Sequence, residues 1–386
     1  MKTPCYIIDE KELDASFLGF KSALAQNFRN YIPSYSVKTN SLPYVLKKAC
    51  LNGYFAEVVS DDEYRLALKC GFSLNRIIYN GPHKSRETFI EALVGGAMIN
   101  IETFREIDWL ESEQLNGSFN IGLRMNINIS QVSQADENHD NDDSRFGFSC
   151  ESGDFKQAIE RIGRLPNIHL DRIHLHRTSR TRSVGFYCNL IDYAMRQLAK
   201  YNLSIKQIDL GGGYFGMMPE KPTYGDYATA ISGTLKKYLD TSQITVIIEP
   251  GNAIVASSFD FVTSVIDVKC HDSSYYVTID GSRIDIDPFF HKSSYFNDIH
   301  YEGQNIRDRV ASQIIGGCTC LEYDRLMELK NDQLLQVGDM IRFHRVGAYT
   351  MALTPLFIRY WPEVYVDDGK SLSLVRKKFP VELMLF

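Results

Sequence analysis

The chain has only two tryptophans, no Cys-x-x-Cys pair and no apolar run approaching the length that spans a bilayer. It has no surplus of either charge: Lys+Arg is 42 and Asp+Glu is 48, a net charge of −6 over 386 residues. The missing cysteine pairs remove support for a zinc ribbon or a thioredoxin-like redox site, and no metal site is expected. The missing basic surplus removes a general attraction for nucleic acid or an anionic membrane, so the expected partner is a small molecule. The opening residues, Met1 to Glu10, carry too short an apolar run for a secretion signal. A reduced, cytoplasmic protein is therefore expected, with most of its eight cysteines in the core. An anionic ligand would need a local cluster to hold it. The 22 tyrosines and 22 phenylalanines suit amphipathic surfaces, such as a subunit interface or a lined pocket.

At 386 residues the chain is long enough for two domains. Its first two thirds alternate short β-rich runs with longer segments of helical apolar spacing. The strand candidates are 34–38, 54–59, 76–80, 97–101, 120–127, 170–176, 206–210 and 244–249. Helices are predicted near 41–52, 61–71, 84–95, 102–115, 152–164, 187–202 and 225–240. Eight such repeats match a parallel (β/α)8 TIM barrel; an open doubly wound sheet has the same periodicity and is the alternative. Beyond residue 255 strand-like runs at 259–269, 274–280, 310–315, 339–344 and 363–367 lack intervening helices, which indicates a separate, barrel-like β domain. The predicted organisation is a strand in 1–10 that joins the C-terminal domain, an α/β barrel over 11–255 and a β domain over 256–386. The acidic stretch 133–144 and the mixed stretch 281–309 read as loops, the second a candidate pocket wall.

Chemistry in such a barrel sits at the C-terminal ends of the strands. Those ends carry Lys38, then Glu57 and Ser60, then Asn80-Gly81, then Arg124. Further on come His174-Leu175-His176, Asp209 followed by Gly211-Gly212-Gly213, and finally Glu249-Pro250-Gly251-Asn252. Any one of these has a bland reading as a solvated charge or a turn. Together they describe a site for an aldehyde cofactor. A partly desolvated lysine condenses with the aldehyde, and glycine N–H groups cradle a phosphate. A carboxylate holds a pyridine nitrogen protonated, and a histidine stacks on the ring. Pyridoxal 5′-phosphate has all four of these needs.

The same residues resemble a known family, the pyridoxal-phosphate decarboxylases of the alanine-racemase fold, which includes diaminopimelate, ornithine/arginine and carboxynorspermidine decarboxylases. The resemblance runs nearly end to end. Tyr35-Ser-Val-Lys38-Thr-Asn resembles the cofactor-lysine motif, Glu57-Val-Val-Ser60-Asp-Asp-Glu63 the second-strand motif and Ser144-Arg-Phe-Gly-Phe148 a Ser-Lys-Phe-Gly segment. Ile208-Asp-Leu-Gly-Gly-Gly213 resembles the phosphate loop and Glu249-Pro-Gly251 the nitrogen-partner motif. In the β domain, Gly317-Cys-Thr-Cys320-Leu-Glu-Tyr-Asp324 is similar to a Gly-Pro-x-Cys motif, and Val346-Gly-Ala-Tyr349 to a tyrosine motif of the phosphate site. The resemblance implies that Lys38 carries the cofactor as an imine, that His176 stacks on the ring and that Glu249 pairs with its nitrogen. It implies that Gly211, Gly212, Gly213, Ser179 and Tyr349 hold the phosphate, and that Glu57, Glu63, Arg124 and Gly251 support the site. It further implies a homodimer with shared active sites, in which Cys320 protonates the product carbanion across the interface. A thiol is a sensible proton donor near neutral pH.

The resemblance is incomplete at positions that bear on the substrate. His-x-Gly-Ser becomes His176-Arg177-Thr178-Ser179, and Glu-Pro-Gly-Arg becomes Glu249-Pro250-Gly251-Asn252. Leu321 follows Cys320 where diaminopimelate decarboxylases have Glu and ornithine decarboxylases have Asp. Arg177, Arg180 and Arg182 form a basic cluster that either substitutes for the missing arginine or faces solvent. With Glu322 and Asp324 they are the candidate substrate contacts. The activity implied is decarboxylation of an amino acid or an amino-acid conjugate. A racemase or epimerase of the same fold is the first alternative, but such enzymes typically place Arg at the ring nitrogen, which weakens the electron sink. A noncatalytic cofactor-binding protein is the second, and the β domain with its cysteine motif speaks against it.

Overall fold

The computed structural model describes residues 2–133, 144–272, 274–303 and 306–385. Of the acidic stretch 133–144, only the two flanking serines fall among them. The chain divides into two compact units, Met1–Ala15 with Ile254–Phe386, and Ser16–Ala253. No helix among the described residues is long and apolar enough to cross a membrane.

After the first strand, β1 (Cys5–Asp9), the chain enters the long helix α1 (Glu10–Asn27). The larger unit then lays down β2 (Tyr31–Ser36), β3 (Phe55–Ser60), β4 (Ile77–His83), β5 (Met98–Ile101) and β6 (Phe119–Asn126). A two-residue strand, β7 (Phe148–Ser149), is followed by β8 (Ile168–Leu175), β9 (Gln207–Leu210) and β10 (Thr245–Ile248). The eight longer strands pair in parallel, and the β10–β2 and β5–β6 pairings close the ring. This is the closed TIM-type barrel, and the open-sheet alternative is excluded. β7, absent from the sequence prediction, adds to β6 outside the ring of eight. Helices follow the strands, and several begin with a side chain that satisfies free backbone N–H groups, among them Ser60, Ser85, Thr103, Ser183 and Thr223. Ser60 accepts from the Glu63 amide, and Thr103 with Glu106 forms a reciprocal capping box.

The barrel interior carries a polar layer with one buried residue from each of the eight strands or its end. These are Ser36, Glu57, Asn80, Asn100, Arg124, His174, Asp209 and Glu249. Burying so many polar groups is costly unless they bond one another, and that requirement shapes the site. Just after β4, Lys84 forms a fully buried ion pair with Glu106 at 2.6 Å. The Lys84 ammonium also donates to the Gly81 and Asn100 carbonyls, so all three of its protons are used. Lys84→Met should cost about 3–5 kcal/mol in denaturant unfolding, because it strands the Glu106 carboxylate. A loss below 1 kcal/mol would show the pair to be dispensable.

The smaller unit is a nine-stranded sheet. β1 lies inside it, antiparallel to β11 (Phe259–His271). The strands β12 (Ser274–Ile279), β13 (Asn297–His300), β14 (Arg309–Gly316), β15 (Arg325–Gln333) and β16 (Met340–His344) follow. β17 (Glu363–Asp367) runs parallel to β1, and β18 (Leu372–Arg376) extends that edge. The stretch 281–309 is not wholly a loop: it holds a helical turn at Arg283–Ile286 and the strand β13. The cysteines are also less uniformly buried than expected, with Cys270 and Cys320 exposed.

His344 in β16 is clamped between two carboxylates, Nδ1 at 2.9 Å from Asp260 and Nε2 at 3.0 Å from Asp298. Burial opposes the charged ring, but the two hydrogen bonds outweigh it and raise the pKa above the ordinary 6.5. The stabilisation from this raised cation is complete below the unfolded value and is lost as pH climbs through the folded one. An NMR titration of the His344 ring should give a midpoint above 6.5; a midpoint at or below it would mean the clamp does not form.

Candidate active site

Lys38 stands in the single turn Val37–Thr39 that follows β2. Its ammonium donates to both oxygens of Glu57, at 3.0 and 2.7 Å. The pairing is lopsided: the Glu57 side chain is 1% exposed and that of Lys38 is 36% exposed. The amine is thus held by a fully buried carboxylate while its own side chain stays partly exposed. Glu57 is fixed in turn by the Ser36 hydroxyl at 2.5 Å and by the Asn80 amide at 3.2 Å.

The Asn80 amide also donates across the barrel to Glu249 at 2.6 Å, and its carbonyl accepts from Asn100 at 2.7 Å. Asn100 donates to Asp209 at 2.7 Å. His174 Nε2 lies 3.6 Å from Glu249, and its ring is within 16° of parallel to that of His176. Burial pushes the carboxyls of Glu249 and Asp209 above their ordinary values, in Asp209 with the added repulsion of Glu249. Burial, followed by the Arg124 charge, pulls both histidines well below 6.5 and keeps them neutral. Arg124 is anchored by Glu102 at 2.8 Å and lies over the Phe146 ring. Glu63 accepts from the Val59 amide, and burial with the nearby Glu57 charge lifts its carboxyl to about 7.

The glycines after β9 are set by close approach. A Cβ on Gly211 would sit 2.1 Å from His176 Nδ1, so only glycine lets the loop pass beside that ring. Gly213 has φ +108°, a conformation other residues rarely adopt. Ser179 is buried, and its hydroxyl accepts from the Arg182 amide at 2.8 Å. The Arg182 guanidinium lies over the Phe215 ring, 5.4 Å from its centre. Arg180 is exposed and Arg177 half-buried.

The other candidates lie in the smaller unit. Cys320 is exposed beside a cavity of about 250 Å³ that Leu321 and Glu322 also line. Asp324 is buried, and its carboxylate accepts from the Ser282 and Thr319 hydroxyls and from the Arg283 and Thr319 amides. Those bonds hold the cysteine loop, and Asp324 lines the same cavity as Cys320. Tyr349 is 39% exposed, with φ +61°.

Sequence reasoning missed Ser36, Asn100, Glu102 and Arg172. Asn100 had a legible signal: it is a polar residue inside the otherwise apolar β5, where burial demands partners.

A family model described as pyridoxal-dependent decarboxylase, pyridoxal binding domain, matches residues 13–256. The diaminopimelate decarboxylase of Methanocaldococcus jannaschii is 23% identical over 392 residues, covering 97% of this chain and 89% of that protein. The crystal structure of that organism's enzyme superposes with a TM-score of 0.84 at 22% identity, covering 100% of this chain and 92% of that one. The Paramecium bursaria Chlorella virus arginine decarboxylase superposes with a TM-score of 0.78 at 20% identity, covering 95% and 96%. With more than half of its length matched by the family model, this chain belongs to the pyridoxal-dependent decarboxylases.

Proposed function

We propose that this amino-acid decarboxylase acts as a cytoplasmic homodimer on a nonstandard amino acid or amino-acid conjugate, with Cys320 of one subunit completing the Lys38 site of the other. The observation that carries the Lys38 assignment is the Lys38–Glu57 contact, which presents an amine from the floor of a buried polar layer.

The residues present fit pyridoxal phosphate. Both ring nitrogens of His174 and one oxygen of Asp209 are buried without a hydrogen-bond partner among the described residues. Glu249 is 2% exposed and lies beside them, so the layer has polar capacity left for a bound group. When bound, the cofactor supplies an aldehyde to capture the substrate amine and an electron-withdrawing ring to receive the electrons that CO2 leaves behind. Lys38 would hold it, Glu249 would face its ring nitrogen and His176 would lie against its face. Gly211, Gly212, Gly213, Ser179 and Tyr349 would take its phosphate. Glu57 orients the Lys38 amine and takes up its positive charge. Arg124 and Gly251 shape the walls: a Cβ on Gly251 would strike the Thr39 hydroxyl at 2.1 Å. Cys320 would deliver the proton that replaces CO2.

The substrate reading rests on Leu321. An apolar side chain next to the proton donor does not recognise a distal ammonium group, whereas Glu322, Arg177 and Arg180 offer charges of both signs for a longer conjugate. Eight free cysteines suit a reducing compartment. Two measurements test the proposal. A CO2-release screen over amino acids and polyamine-like conjugates should find a substrate turned over faster than diaminopimelate, ornithine or lysine; the reverse order would reject the substrate class. Mixing inactive Lys38→Ala and Cys320→Ala subunits should restore about a quarter of wild-type activity, since half the dimers then hold one intact site of two. No restoration would reject the shared site.

A further inference from the structure

Arg172 in β8 is among the largest fully buried side chains of the protein. A guanidinium stays charged even when buried, and burial of an uncompensated charge is very costly. Yet its hydrogen bonds go to neutral acceptors: Asn100 Oδ1 at 2.8 Å, Gln207 Oε1 at 2.7 Å and the Ile99 carbonyl at 2.9 Å. The barrel is built around this arrangement. A Cβ on Gly122 would lie 1.9 Å from Asn100 Oδ1 and 2.8 Å from Arg172 Nε, so only glycine on β6 admits the Asn100–Arg172 pair. The pairing of β8 with β6 also skips Asp171, which brings Arg172 opposite Gly122.

The compensating charge is one residue away. Asn100 holds Arg172 with its carbonyl and Asp209 with its amide, while Glu249 stands beside Asp209. The charged or titratable groups around this carboxyl pair are Arg172, Lys38, Arg124, Glu57, His174 and Tyr214. Lys38 is bound to Glu57, Arg124 to Glu102, and the buried histidine is neutral. Asp171 is a further carboxylate that acts on the guanidinium, less strongly than Asp209. Two adjacent buried carboxyls do not both ionise without a fixed cation close by.

We propose that Arg172, acting through Asn100, is the fixed counter-charge that lets the Asp209–Glu249 pair carry a negative charge against the cofactor's ring nitrogen. Arg172 is a positioning residue: it touches neither the cofactor site nor Lys38. The proposal rests on the reading of Glu249 as the nitrogen partner, and its test separates the two.

The measurement is binding of pyridoxamine 5′-phosphate and of its 1-deaza analogue, in which C–H replaces the ring nitrogen, to the full-length cofactor-free protein. Wild type should prefer the nitrogen compound, and Glu249→Gln should erase that preference. Arg172→Gln should reduce it about tenfold, the equivalent of one pKa unit, while Arg172→Lys should retain most of it. Gln207→Glu should reduce it similarly, because a carboxylate at that 2.7 Å contact cancels the charge without removing the side chain. That variant decides the matter should Arg172→Gln fail to fold. An unchanged preference in Gln207→Glu, with Glu249→Gln still erasing it, would overturn the role of Arg172 and leave Glu249 intact. No preference in wild type, or none lost in Glu249→Gln, would overturn both.

Discussion

Lys38→Ala is expected to abolish decarboxylation, by a factor on the order of 10²–10⁴ or more, and to leave a folded protein without the visible absorbance of a lysine-bound cofactor. The reason is that Lys84, the nearby amine among the described residues, is no substitute. Its side chain is 0% exposed and spends its three protons on Glu106 and two carbonyls. The fold should tolerate the change, since Glu57 keeps its bonds from Ser36 and Asn80 and the Lys38 side chain is only partly buried. Lys38→Arg sharpens the test. It preserves a cation for Glu57 but cannot condense with an aldehyde, so it should be as inactive as the alanine variant and closer to wild type in thermal stability. Substantial activity or retained absorbance in either variant would remove Lys38 from its assigned place.

The barrel was legible because its strands are short, apolar and separated by helices of regular period. Each polar residue at a strand end therefore stood out. Lys38, Glu57, Asn80, His174, Asp209 and Glu249 could all be named as strand-end groups before any contact was known. Their bonds could not. The Asn80–Glu249 and Asn100–Asp209 contacts join strands on opposite sides of a closed ring, and periodicity carries no information about closure. Local spacing also hides Arg172, because its role depends on the absence of a side chain at Gly122 some fifty residues earlier. In the smaller unit, β15 was missed because Arg325, Glu328, Lys330, Asn331 and Asp332 interrupt the alternation that marks a strand. The four donors that bind the Asp324 carboxylate were equally hidden, because Ser282 and Arg283 lie some forty residues before it.

Glu249→Gln should separate activity from stability. Turnover is expected to fall by on the order of 10²–10³-fold, the usual cost of removing one preorganised electrostatic partner, because an amide does not hold a pyridine nitrogen protonated. The cofactor-free protein should gain stability from the same change. Glu249 is fully buried, and burial raises its carboxyl above the ordinary 4.5. Above that pH the unfolded chain releases the proton while the folded chain keeps it, so the folded state binds more protons and loses stability as pH rises. Gln carries no proton to lose, accepts from Asn80 as Glu249 does, and can donate toward the unpaired oxygen of Asp209. The melting temperature of the cofactor-free variant should therefore match wild type near pH 4.5 and exceed it increasingly toward neutral pH. A variant that is less stable at every pH would mean that Glu249 is held ionised by its surroundings in the empty site.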